Sequence, residues 1–331
     1  MLTRPQNLSD AMVGGAVATG WDLSVASLEY RAVGFGSHHW CVTDTAGGRW
    51  FATVDDLGSK LLSSLDTIEE ARQRLRAALA TARALRDAGL DFVVAPMPAR
   101  ADEIVERISD RFVLALYPYI DGISQSGEYE SASERLAVLE LIVAVHTMPD
   151  RVSRGARIDD FELRQRDELE RALGDLAARW NHGPYSQPAR TLLSRHAEAI
   201  ARCLAHYDRL VDEARAQPER MVLTHGEPHV ENVMHAATGR LLIDWDTTLL
   251  ALPERDLWML DSGDGSIIAA YTELTGMEVA TSMLDLYRLG WDIEEVAIYA
   301  AQFRQPHTEC ADTREAWENF EYSLDRLARR P

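Results

Sequence analysis

The chain of 331 residues is too long for one small core, and its 46% hydrophobic and 26% charged residues exclude a disordered or collagen-like composition. With 34 basic and 53 acidic side chains its formal net charge is −19, which repels nucleic-acid phosphates and anionic membranes and attracts a cationic ligand. No apolar run approaches the roughly 20 residues of a membrane span. The first five residues carry no apolar leader core. Cys41, Cys203 and Cys310 are too far apart for a CxxC site. A cytoplasmic protein with packing cysteines is expected, without nucleic acid or membrane as a partner.

Taken in chain order, residues 27–34, 40–45 and 49–55 carry the aromatic and β-branched side chains of strands, and Ala46-Gly47-Gly48 reads as a hairpin turn. Ile68, Ala71, Leu75, Ala78, Leu79, Ala82 and Leu85 form one stripe between Thr67 and Ala88, with Gly89 as a stop, which predicts one main helix behind a small antiparallel sheet. Strands are expected again at 92–95 and 112–116. Tyr117-Pro118-Tyr119-Ile120-Asp121-Gly122 then marks a hinge. Beyond it helices are expected over 133–147, 161–180, 191–216, 266–275, 281–289, 293–303 and 313–328. Strands at 222–223, paired with 233–234, and at 241–244 interrupt them.

The densest polar cluster lies in that interruption. Residues 221–260 read MVLTHGEPHVENVMHAATGRLLIDWDTTLLALPERDLWML. His225, Glu227 and Asn232 fall on a short loop between apolar strands, and Asp244 and Asp246 follow the next apolar run. Phosphoryl transfer needs hard oxygen ligands for Mg²⁺, which Asn232 and Asp244 offer, and a carboxylate near the acceptor hydroxyl, which Glu227 offers. Each residue singly is as well explained as a turn former or a hydrogen-bonded loop residue.

The spacing as a whole resembles the aminoglycoside phosphotransferase family, whose catalytic loop reads His-x-Asp-x-x-x-x-Asn and whose metal motif begins Ile-Asp-Trp/Phe-Asp/Glu. Here these are His225 to Asn232 and Ile243-Asp244-Trp245-Asp246, with Glu227 in place of the usual aspartate. The run IDWDTTLLALPERDLWML and Tyr287 to Asp292 are most similar to spectinomycin phosphotransferases and their actinobacterial relatives. The resemblance implies an α+β, bilobal protein-kinase-like fold: an N-terminal nucleotide lobe over 1–116, a hinge over 117–122 and a helical lobe over 123–331.

The resemblance further implies ATP or GTP as phosphate donor, with Mg²⁺ on Asn232, Asp244 and Asp246, and an antibiotic hydroxyl as acceptor. Gly34, Phe35, Gly36 and Ser37 would cover the phosphates, and Tyr117 and Tyr119 would flank the base. The third strand lacks the family's lysine, since Thr53 holds that position. Lys60, the chain's sole lysine, is the leading replacement, with Arg72 and Arg76 behind it. Asp285, Tyr287, Trp291, Asp292, Glu294 and Glu295 would meet a protonated aminocyclitol. A different hydroxyl acceptor, or a binding protein that transfers nothing, are the alternatives.

Overall fold

The computed structural model describes residues 1–5, 7–34 and 36–330. In chain order the elements are α1 (Asp10–Trp21), β1 (Val25–Arg31), β2 (Ser37–Asp44), β3 (Arg49–Asp56), α2 (Ile68–Asp87), β4 (Glu106–Arg107), β5 (Phe112–Pro118) and β6 (Gly122–Ser124). They continue with α3 (Ala132–His146), α4 (Asp150–Ser153), α5 (Arg166–Gly174), α6 (Ser186–Arg215), β7 (Val222–Thr224), β8 (Val233–Ala236), β9 (Gly239–Leu242) and β10 (Leu249–Ala251). Last come α7 (Glu254–Leu260), α8 (Ser266–Thr275), α9 (Thr281–Arg304) and α10 (Ala311–Ala328). None of the described helices is long and apolar enough to cross a membrane.

Two compact units result. The first comprises Met1–Lys60, Ile68–Asp159 and Glu219–Ala280, and the second comprises Leu61–Thr67, Asp160–Pro218 and the chain from Thr281 onward. The first unit is built on a five-stranded antiparallel sheet of order β1-β2-β3-β5-β4. Period-two alternation sends Trp40, Val42, Ala52, Val54, Leu114 and Leu116 to one face, where they pack against Val13 and Val17 of α1. Full burial of each large side chain there contributes about 1.5–3 kcal/mol.

The helix in that core was not legible in the sequence. Gly14 and Gly20 depress the helical propensity of α1, yet a Cβ at these positions would lie 3.3 Å from Leu28 and 3.2 Å from Glu106, so their smallness lets α1 approach the sheet. Ser9 caps it by accepting from the Met12 N–H. The expected helix from 67 to 88 forms as α2, with Gly89 at φ 102 behind it.

Other expectations change. Residues 92–95 form no strand; Val93 makes an isolated bridge to Leu242. β5 runs through Tyr117 and Pro118, so the hinge segment begins inside a strand. β7 pairs with β10 rather than with β8, and β8 pairs with β6 and β9. The helix expected over 161–180 shrinks to α5, because Phe161 and Gln165 take left-handed φ values of 61 and 59.

The second unit is helical. α9 is continuous where two helices were expected, passing through Gly290, where an added Cβ would lie 3.0 Å from the Tyr207 ring. Leu286, Leu289, Ile293, Val296, Ala300 and Phe303 of α9 recur at three- and four-residue spacing and are buried along with Leu193, Ile200 and Leu204 of α6 and Phe320 and Leu324 of α10.

Candidate active site

The loop between β7 and β8 is fixed atom by atom. His225 is fully buried; its Nε2 donates to the Ile243 carbonyl at 2.9 Å, while its Nδ1 accepts from the Glu227 N–H at 3.2 Å. Both ring nitrogens are thereby assigned, and the imidazole is neutral. Burial pushes its pKa down to about 4, against the opposing pull of Asp256. Gly226 has φ 104, and an added Cβ would collide with the Arg255 guanidinium and the Thr247 hydroxyl.

Beneath the loop lies Asp256 of α7. Its carboxylate accepts from the backbone N–H groups of His225 at 2.8 Å and Gly226 at 2.6 Å, and from His146 Nε2 at 3.0 Å. The other ring nitrogen of His146, Nδ1, is hydrogen-bonded to the Tyr271 hydroxyl at 2.9 Å. Burial opposes ionisation of Asp256, but the His146 hydrogen bond and the nearby charges prevail and hold its carboxyl below the usual range. Tyr129 adds a strap, donating its hydroxyl to the Pro228 carbonyl at 2.6 Å.

Asn232 is buried at the loop's far end. Its Nδ2 donates to the Glu227 carbonyl at 3.0 Å and to His229 Nε2 at 3.1 Å, which leaves Oδ1 as the atom for a ligand. His229 Nε2 also lies 4.0 Å from the Glu227 carboxylate. The Ile243 N–H donates to the Asn232 carbonyl at 3.0 Å, tying this loop to the next.

That next loop carries Asp244 at φ 64, a conformation that costs a non-glycine residue energy and is held by its surroundings. Trp245 is the anchor: fully buried, 4.4 Å from the His225 ring, with its indole N–H on the Leu242 carbonyl. Asp244 reaches solvent although protein atoms crowd it. This crowding, then Asp246 and Glu227, push its carboxyl well above the usual range, while Lys60 pulls the other way.

Lys60 itself lies 2.6 Å from Asp246 and 3.0 Å from Asp55. Burial alone would depress its ammonium, but those two carboxylates hold it above the ordinary lysine range. Asp55, Asp244 and Asp246 thus act on one lysine, with Glu227 acting on Asp244 in turn, an excess of negative charge that calls for a cation. Among the described residues no three His, Cys, Asp or Glu side chains are arranged to hold a metal by themselves. Mg²⁺ does not need such a cage, since it is usually bound through one or two carboxylates together with phosphates and waters. Asn232 and Asp244, with Asp246 beside them, fit that ion.

The second face of the sheet borders this cluster. It presents Ser37, His39 and Cys41 of β2, Phe51, Thr53 and Asp55 of β3, and Ala115 and Tyr117 of β5, paired in register. His39 Nδ1 lies 3.3 Å from the Thr53 hydroxyl, and its ring stacks on Phe51 at 5.2 Å. Burial, the N-terminal amine, His38 and Lys60 push the His39 pKa down to about 3, so it carries no charge at neutral pH. Burial, then Asp55, Asp244 and Asp246, raise the Tyr117 phenol, which places it electrostatically beside the carboxylates.

Gly34 and Gly36 take φ 66 and 88 just before β2, as a tight loop requires; Phe35 lies outside the described residues. Tyr119 lies under the Arg49 guanidinium at 3.6 Å, and its N–H already donates to the Arg49 carbonyl. Arg72 pairs with Glu69 and Arg76 with Glu103, so neither joins the carboxylate cluster.

The residues expected to bind an acceptor lie in the second unit. Asp292 is buried and ion-paired with Arg326 at 2.9 Å and Arg330 at 2.7 Å; Asp285 pairs with Arg330 at 2.8 Å. Glu294 accepts from the Arg164 N–H, and Tyr287 meets the Phe161 ring at 6.4 Å. Burial raises the Glu295 carboxyl, with Tyr299 hydrogen-bonded to it, and Trp291 is half-buried. The negative charge of Asp285 and Asp292 is therefore matched within the unit.

Sequence reasoning missed Asp55, Tyr129, His146 and the anchoring role of Asp256. The signals available were the acidic pair at the end of β3 and the Glu254-Arg255-Asp256 run.

A model of the phosphotransferase enzyme family matches residues 29–297. Protein StrN of Streptomyces griseus is 30% identical over 245 residues, which are 71% of this chain and 72% of that protein. In fold, the chain is similar to spectinomycin phosphotransferase APH(9)-Ia in complex with ADP and spectinomycin, with a TM-score of 0.73 at 15% identity over 98% of both chains. It is also similar to a microcompartment-associated aminopropanol kinase, with a TM-score of 0.60 at 16% identity over 97% of both chains.

Proposed function

The chain belongs to the phosphotransferase enzyme family, and from that premise we propose that it transfers the terminal phosphoryl group of ATP or GTP to a hydroxyl of an aminoglycoside or aminocyclitol antibiotic, conferring resistance. One observation carries the reading: Glu227, Asn232 and Asp244 are brought together by two loops that are tied at Asn232 and Ile243. The division into a nucleotide lobe over 1–116, a hinge over 117–122 and an acceptor-bearing lobe beyond it is part of the proposal.

Asn232 and Asp244 would hold Mg²⁺, which would supply positive charge for the donor phosphates. Glu227 orients the acceptor hydroxyl and receives its proton as the new O–P bond forms and the bond between the terminal phosphorus and the bridging oxygen of the departing nucleoside diphosphate breaks. Asp256 acts beneath it as a positioning residue, holding the two N–H groups just before Glu227. The neutral His225 fixes the backbone between Glu227 and Ile243 and takes no part in proton transfer. Gly34, Gly36 and Ser37 would form the loop over the phosphates, and Tyr117 and Tyr119 would flank the base.

A cationic acceptor is supported by the formal net charge of −19 and by the likeness to a fold solved with spectinomycin. The arginine pairs of Asp285 and Asp292 favour a second reading, in which the acceptor is a less cationic alcohol. The test is to incubate the purified protein with labelled ATP and GTP and a panel of aminocyclitols, aminoglycosides, macrolides and simple amino alcohols, then to search for a phosphate adduct by mass spectrometry. Transfer to an aminocyclitol or aminoglycoside supports the first reading, and transfer confined to the other classes supports the second. The absence of transfer to any hydroxyl would leave a binding protein.

A further inference from the structure

The sheet face that borders the carboxylate cluster has no cation of its own at the position opposite β2. Thr53 bonds to His39, the ring is neutral, and the next residue pointing the same way on β3 is Asp55. A triphosphate brought to that face would meet carboxylates before it met any positive charge. The chain supplies the missing charge a few residues later. After β3 it enters a tight turn over Leu57–Lys60 that is held on three sides. The Leu57 side chain is buried and its N–H donates to the Arg111 carbonyl; Asp56 accepts from the Gly58 N–H at 3.0 Å and is clamped by Arg111 at 2.6 Å; Arg74 of α2 donates to the Lys60 carbonyl at 3.2 Å.

The turn folds the Lys60 ammonium back onto the strand it has just left, 3.0 Å from Asp55, and against Asp246 at 2.6 Å, two residues from Asp244. The first carboxylate of α2 is not available for this pairing, since Glu69 is hydrogen-bonded to Arg72 and Gln73 on its own helix. Asp55 has a second tie, because the Ser37 hydroxyl donates to it at 2.6 Å, one residue past Gly36. A chain of contacts thus runs from the glycine segment through Ser37, Asp55 and Lys60 to Asp246.

We propose that Lys60 is the cation that receives the donor phosphates and that Asp55 is its positioning residue, the lysine–carboxylate pair being built within β3 and the turn behind it. The inference rests on the phosphotransferase reading and adds to it the origin of the phosphate-binding charge. In the absence of nucleotide the two carboxylates hold the ammonium at the site. When phosphates arrive they take over from Asp246, while Asp55 keeps the side chain from swinging into solvent.

Nucleoside diphosphate binding, measured by calorimetry with Mg²⁺ present, tests this without turnover. Lys60→Met keeps the aliphatic stem but removes the ammonium held between Asp55 and Asp246, so its Kd should rise at least tenfold while the Kd for the corresponding nucleoside stays within twofold. Asp55→Asn should raise the diphosphate Kd severalfold in the wild-type background and have no further effect in the Lys60→Met background, because a residue that acts through Lys60 has nothing left to position. A purely structural Asp55 would give the same increment in both backgrounds. An unchanged diphosphate Kd in Lys60→Met, or equal increments for Asp55→Asn, overturns the proposal while leaving the enzyme reading intact. A wild-type protein that binds no nucleotide overturns both. Retention of nucleoside binding shows that each variant is folded.

Discussion

Replacing Asp256 by Asn keeps the shape of a side chain that lies in a fully buried place and accepts three hydrogen bonds. Hydrogen bonds to a charged group contribute about 1.5–3 kcal/mol each. An amide oxygen turned towards His225 and His146 still accepts from both, but as a neutral acceptor, and its NH₂ then faces the Gly226 N–H donor to donor. One charge-assisted bond is lost outright and two are weakened, so Asp256→Asn should reduce stability by about 2–4 kcal/mol by these figures. Asp256→Ala, which leaves three buried donors unpaired, should lose more. Urea denaturation gives the stability, and steady-state kinetics should show kcat falling at least tenfold while nucleotide affinity changes little, because the loop carrying Glu227 and Asn232 loses its floor. Stability within about 0.5 kcal/mol of wild type, with kcat within twofold, would refute the anchoring argument. The sign with pH follows from the depressed carboxyl: the contribution of Asp256 is present in full above its unfolded pKa and is lost as pH falls through the lower folded value.

Asp244→Asn should abolish turnover yet leave the protein as stable as wild type or more so by about 1 kcal/mol, since it removes a crowded carboxylate and places in the left-handed region a residue that tolerates it; a thermal melt in EDTA checks this. Glu227→Gln should lower kcat by about a hundredfold or more with nucleotide Kd within threefold, and an unchanged kcat would remove Glu227 from the chemistry. His225 should show no imidazole titration by NMR between pH 6 and 8. With a folded pKa near 4 below its unfolded value, its contribution to stability is present above the unfolded value and declines as pH falls from there towards 4, which acid denaturation of His225→Asn against wild type would reveal.

What the sequence made legible was local. The stripe from Ala71 to Leu85, the hairpin at Gly47-Gly48, and the loop between strands that bears Glu227 and Asn232 are patterns within a few residues of one another; the helix, hairpin and loop form as expected, although the strands flanking the loop pair elsewhere. The tertiary contacts were not legible. His146 reaches Asp256 across 110 positions, and Lys60 reaches Asp246 across 186, with nothing in the local pattern to announce either. α1 was hidden for a different reason, because the glycines that let it pack are the residues that argue against a helix. The arginine pairing of Asp285 and Asp292 was equally hidden, because Arg330 lies some forty residues away, just beyond the end of α10.

The pairing of Lys60 with two carboxylates has a consequence for chemical labelling. Acylating reagents attack the free amine, and this chain offers them one lysine side chain, held protonated between Asp55 and Asp246. General amine-directed reagents should therefore leave the side chains unmodified at neutral pH. A nucleotide carrying an acyl phosphate would deliver its electrophile where the carboxylates yield, so a single mass increment on the peptide containing residue 60 would report occupancy of the site directly, with no other lysine to confuse the signal.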